Sequence, residues 1–139
     1  MISKVLVPMD DSKMAEKALA FALVAHPTAD ICVLHVVGEP SPFLGEAASL
    51  ALADDLEQSA RELSASVFDR AREIAQEHGV NINTEFALGQ PARAIVNRAD
   101  DFDVVILGSH GRDVKSRILM GNIAEKVSRR SPVPVTIVR

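Results

Sequence analysis

Gly108, Gly111 and Gly121 lie in the stretch "GSHGRDVKSRILMGN", which follows directly on the apolar run "DVVIL". Glycines at a strand end permit positive φ and let a ligand come close to the backbone. A glycine at the head of a helix leaves the first N–H groups and the positive end of the helix dipole open, which suits a phosphate. Between the glycines, Arg112, Lys115 and Arg117 can screen phosphate charge. Asp10 follows the first apolar run, "KVLVP", and its carboxylate can accept from ribose hydroxyls or an adenine amine. Alone, each piece reads as a turn glycine, a helix cap or a solvated charge. Their conjunction predicts a nucleotide cradle assembled from two strand ends and one helix start.

Other reactive residue types carry less. Cys32 is the sole cysteine, so an internal disulfide and a cysteine metal cluster are both excluded. Its place in "ICVLHVV" predicts a buried, inert thiol. His35 reads as a strand histidine, His78 as a helix-end histidine, and His26, before Pro27, as a surface residue. There is no G-x-x-x-x-G-K-[S/T], so the lysine and hydroxyl of a P-loop are missing.

The elements that must position the glycines follow from the hydrophobic pattern. Lys4–Pro8 reads as a buried strand. Lys13 to about His26 is helical, with Ser12 or Asp11 as N-cap and Ala15, Ala18, Leu19, Ala22 and Leu23 on one face. Asp30–Val37 is a continuous apolar strand, and Gly38–Glu46 a loop. In the long helix that follows, Leu56, Ala60, Leu63, Val67, Ala71 and Ile74 form the buried stripe, which closes at His78–Gly79. Val80–Leu88 alternates as a strand, and Pro91 sits in the first turn of the next helix. Asp103–Ser109 is a buried strand. Ile118–Arg130 is helical around the Gly121 start, with Ile118, Ile123 and Val127 on one side, and "VPVTIVR" is the last strand. Short apolar strands alternating with helices predict an α/β fold: a single open, doubly wound, five-stranded parallel sheet with helices on both faces, for which the expected strand order is 3-2-1-4-5. Ligands of such sheets sit at the carboxyl ends of the strands, where strand order reverses.

At 139 residues and 47% hydrophobic, the chain reads as one globular domain, residues 1–139. Its net charge is −4, unevenly placed. Residues 108–139 hold seven Lys/Arg against Asp113 and Glu125, whereas the rest holds eight against seventeen acids. The acidic balance argues against nucleic acid as a partner, while the cationic end suits a small anion. The run "ALAFALVA" is far shorter than the ~20 residues of a membrane span. No secretory pattern opens the chain, so it reads as cytoplasmic.

Gly108-x-x-Gly111-x9-Gly121-Asn122 resembles the G-x-x-G-x9-G-[S/T] motif of the universal stress protein family, in its ATP-binding branch. "KVLVPMDDS", "VLHVV" and "GNIAEKVSRRSPVPVTIV" are similar to that family's opening strand and Asp turn, second strand, and last helix and strand. The resemblance implies ATP binding in a stress-response module. By position it implies that Asp10 meets the adenosine, Pro8 and Met9 line the adenine pocket, and the Val36 backbone bonds adenine. It further implies that Gly108 and Gly111 pass under ribose and phosphates beside His110 and Arg112, and that Gly121, Asn122, Ile123 and Ala124 bind phosphate through N–H groups. Any Mg2+ or Mn2+ would be held by the phosphates. Asn122 departs from the family's Ser/Thr: an amide still donates, but it is no hydroxyl ligand for a metal.

Three functions fit: an ATP-binding regulatory module acting on a partner protein, a slow ATP-hydrolysing enzyme, and a nucleotide-free dimeric scaffold. His110 and Asp113 are the only candidate general bases, so binding with little or no turnover is the expectation, with no catalytic residue assigned. In the predicted order the last strand lies at an edge, where Pro134 is tolerated. Val133, Val135, Ile137 and Val138 are too apolar to face water there, which predicts a homodimer joined antiparallel through this strand. The resemblance points to the same contact.

Overall fold

The computed structural model describes residues 1–38, 46–111 and 120–139, with backbone alone for residues 46–54. The chain runs β1 (Lys4–Pro8), α1 (Lys13–Ala25), β2 (Asp30–Val37), α2 (Glu46–Glu77), β3 (Asn83–Leu88), α3 (Pro91–Ala99), β4 (Val104–Gly108), α4 (Asn122–Arg130) and β5 (Val135–Val138). The strands form one sheet of order β3-β2-β1-β4-β5, parallel throughout, as the alternation predicts. Helices α1 and α2 cover one face and α3 and α4 the other. No helix among the described residues is long and apolar enough to cross a membrane.

The central strand explains the two-layer packing. Val5 and Val7 face α1 and α2, Leu6 faces the opposite cluster, and all three are fully buried. Burial of each such side chain contributes about 1.5–3 kcal/mol. On α1 the buried residues are Ala15, Ala18, Leu19, Ala22 and Leu23, the stripe that the spacing predicts. Ser12 is the N-cap: its Oγ accepts from the Ala15 N–H at 3.1 Å, worth about 1 kcal/mol.

The structure shortens several expected elements. β3 begins at Asn83 because the Val80 N–H still closes α2 on the Ala75 carbonyl at 3.0 Å. Gly79, at φ 69°, makes the turn between them. β5 begins at Val135, after Pro134, which has no N–H to give but accepts from the Val105 N–H at 3.0 Å. Helix α4 begins at Asn122, and Ile118 lies outside the described residues, as does most of the expected loop at 38–46.

Two expected core positions are corrected. Leu63 is 61% exposed, and the next residue, Ser64, is fully buried in its stead. Ser64 is tolerated there because its Oγ lies 2.8 Å from His35 Nδ1. Ile123 is 44% exposed, and α4 buries Ala124 and Val127. On β5, Val135 and Ile137 pack toward the α3–α4 face and Val138 toward α1. Part of the apolarity of that strand is therefore absorbed by its own sheet.

Candidate functional site

β1 leads through α1 to β2 on one side, and β4 leads through α4 to β5 on the other. Their carboxyl ends diverge at the point where strand order reverses. A cleft of about 470 Å³ opens there. The end of β1 contributes Pro8, Met9 and Asp10, and β2 contributes Val36. The segment after β4 brings Gly108, His110 and Gly111, and the start of α4 brings Gly121, Asn122, Ile123 and Ala124. Eleven of the twelve candidate residues thus line one cleft. The twelfth, Arg112, lies outside the described residues, as do Asp113, Lys115 and Arg117.

The glycines serve a purpose other than the positive φ expected of them. Among the described residues, positive φ occurs at Gly79 and Gly89 alone. At Gly108 a Cβ would stand 2.6 Å from Met14 Cγ and 3.1 Å from the Met14 carbonyl oxygen, so α1 packs directly on the strand end. At Gly111 it would stand 2.7 Å from Asp10 Oδ2, and at Gly121 3.2 Å from His110 Cα. The three glycines let β1, β4 and α4 close on one another.

Asp10 is fixed by its own turn: Oδ1 accepts from the Ser12 N–H at 2.9 Å. Ser109 holds the other side. Its N–H donates to the Val138 carbonyl at 2.7 Å, and its carbonyl accepts from the Gly121 N–H at 2.7 Å. The Gly121 N–H is therefore engaged within the protein. The next helix donors are those of Asn122, Ile123 and Ala124, residues that line the cleft. They precede the first intrahelical bond, from Glu125 to Gly121 at 3.0 Å, and Gly121 has no side chain to cap them. His110 Nδ1 lies 3.0 Å from Ser109 Oγ, which orients the ring.

Seven lining residues escaped the sequence reading: Ser12, Ala15, Leu34, His35, Pro91, Ile95 and Leu107. The signal for Pro91 and Ile95 was present, since α3 starts at the carboxyl end of β3, on the same rim of the sheet as the glycines. The far side of α3 is clamped. Arg98 makes two hydrogen bonds of 2.7 Å to Glu85 on β3, bonds Asp101, and stacks 5.0 Å from the Phe102 ring centre. Hydrogen bonds from Arg98 hold the Glu85 carboxyl below the usual carboxylate range. Burial, with the Glu85 charge beside it, pushes the Cys32 thiol up to about 12, and the side chain is buried as expected.

Chemically, the cleft offers apolar walls from Leu34, Val36, Leu107 and Ile95, one oriented carboxylate, and the first turn of a helix without a side-chain cap. That combination accepts a flat, partly apolar molecule with an anionic end. An open parallel α/β sheet with its cleft at the switch point defines the class. Within that class, the chain belongs to the universal stress protein family, whose profile matches residues 1–139. It is similar to the universal stress protein YxiE of Bacillus subtilis, 31% identical over 148 residues and covering all of both chains. Among solved structures it resembles protein MJ0577 of Methanocaldococcus jannaschii, with a TM-score of 0.82, 27% identity, and 99% and 96% of the two chains covered. It also shares its fold with a universal stress protein solved in complex with cAMP, at a TM-score of 0.67, 23% identity and coverage of 99% and 97%.

Proposed function

We propose that the cleft binds an adenine nucleotide, ATP in particular, and that the protein acts in the cytoplasm as a nucleotide-dependent regulatory module of the stress response. The observation that carries this reading is the start of α4, which has no side-chain cap and whose residues Asn122, Ile123 and Ala124 line the same cleft as Asp10. An anion there gains both hydrogen bonds and the helix dipole. In this reading the base lies among Pro8, Met9 and Val36, and the ribose lies over Gly108 and Gly111 within reach of Asp10. The phosphates run to α4 past His110. Gly121 contributes close approach rather than its N–H. Mg2+ or Mn2+ would travel with the phosphates; among the described residues no three His, Cys, Asp or Glu side chains converge on a metal position. The cAMP complex on the same fold is consistent with an adenine nucleotide as ligand.

The protein works in this reading as a homodimer joined through β5, the sheet edge opposite β3. Val135, Thr136 and Ile137 there are half-buried in the single chain, and no charged residue occurs from Pro132 to Val138. A regulated partner protein would then sense occupancy.

The direct test is to heat-denature the purified protein, identify the released small molecules by mass spectrometry, and titrate the emptied protein with ATP by calorimetry. The expected result is a released adenine nucleotide and saturable ATP binding. No ATP binding at millimolar concentration overturns the reading.

A further inference from the structure

The two edges of the sheet are finished differently. Along β3, three successive residues each carry a guanidinium. Arg72 donates to Thr84 Oγ1 at 3.1 Å, Arg98 grips Glu85 with two bonds of 2.7 Å, and Arg61 lies 5.4 Å from the Phe86 ring centre. Arg61 and Arg72 reach over from α2, and Arg98 from α3 on the opposite face. Each is tethered to a carboxylate on its own side: Arg61 to Glu57 at 3.4 Å, Arg72 to Asp69 at 3.4 Å, and Arg98 to Asp101. The strand beneath is otherwise suited to pairing: Phe86 is half-buried and Leu88 is 42% exposed. β5 has no such cover, since no charged residue occurs along it and no ion pair of the described residues crosses it.

We propose that Arg61, Arg72 and Arg98, laid over Thr84, Phe86 and Glu85, close the β3 edge to strand addition by another copy of this chain. A strand arriving at β3 must either displace these groups from their partners or bury them as ion pairs, and desolvation makes the second route costly. In a two-fold pairing of β3 with its own copy, the same arginines would also meet their counterparts. Exposed apolar edges join, and edges covered by charged side chains resist joining. The closure matters because a sheet open at both edges grows without limit, whereas one open edge stops at two chains. That β5 is the joining edge rests on the dimer proposed above; the closure of β3 does not.

The test is the solution mass of R61A/R72A by light scattering and sedimentation across micromolar concentrations. Both side chains are more than half exposed, so the core is untouched. A melting curve matching wild type checks this. R61A/R72A is expected to show at least twice the wild-type mass, rising with concentration. R61K/R72K, which keeps the charges, is expected to run as wild type. Adding L88K to R61A/R72A is expected to restore the wild-type mass, because it recharges the same edge. An alanine pair that runs as wild type overturns the proposal, and so does a lysine pair that assembles equally. A monomeric wild type whose alanine pair dimerises would support closure of β3 and reject the β5 dimer, so the two readings fail separately.

Discussion

The carboxylate of Asp10 occupies the space that a side chain at Gly111 would need, with Oδ2 2.7 Å from the position of a Cβ there. Asp10 cannot swing freely away, because its other oxygen is bonded to the Ser12 N–H. The first and fourth strands are therefore matched at their ends by one carboxylate and one missing side chain.

Gly111→Ala should push the Asp10 carboxylate off its turn while leaving the buried sheet intact. We expect the ATP affinity to fall by at least tenfold, about 1.4 kcal/mol, by calorimetry. The urea midpoint should stay close to wild type. Unchanged affinity would mean that Asp10 does not meet the ligand.

Gly121→Val places a branched side chain against the His110 backbone, 3.2 Å from Cα even at Cβ. The start of α4 must shift, and ATP binding should be lost in the same titration. A valine variant that binds as wild type would reject the assignment of the helix start.

Asn122→Ser should change ATP affinity by less than about tenfold, or 1.4 kcal/mol. The backbone donors of residues 122–124 remain in either case. Complete loss of binding in this variant would make the amide itself an essential ligand.

V135K/I137K puts like charges across the proposed two-fold at β5 and should give a monomer by light scattering at micromolar concentration. A double variant that stays dimeric, or a wild type that is already monomeric, rejects the β5 contact.

Acid should loosen the clamp between α3 and β3. Glu85 has its folded pKa lowered by Arg98, so its contribution is fully present above the unfolded value. It is lost as pH falls through the lowered folded value. Urea midpoints followed from pH 6 downward should drop less steeply below about pH 4.5 in Glu85→Gln than in wild type. Parallel curves would show that the pair contributes nothing to the pH dependence.

Much of the fold was legible because it is written in continuous runs. β2 occupies Asp30–Val37 as its apolar run marks it, and Ser12 caps α1 as its type and place suggest. The open parallel sheet followed from the alternation of elements, which does not by itself fix the strand order. What spacing could not convey was who stands beside whom. Periodicity rates Leu63 above Ser64 as a core residue, yet Ser64 is buried because His35, 29 positions earlier, lies across from it. The glycines were singled out for positive φ, whereas what the structure shows at them is crowding by Met14, Asp10 and His110, which comes from other segments of the chain. Ile95 reaches the cleft through the placement of α3 after β3, a signal carried by the order of elements rather than by any local motif.

Ser109 makes the end of β5 a structural part of the cleft, since its amide hangs on Val138. An affinity handle or fluorophore attached after Arg139 would thus pull on the peptide that anchors Gly121. Met1 is fully exposed and enters the sheet at the opposite, amino end of β1, where Asp103 holds Ser3 and Lys4. Labels for binding measurements belong at that end, where they report on the cleft without leaning on it.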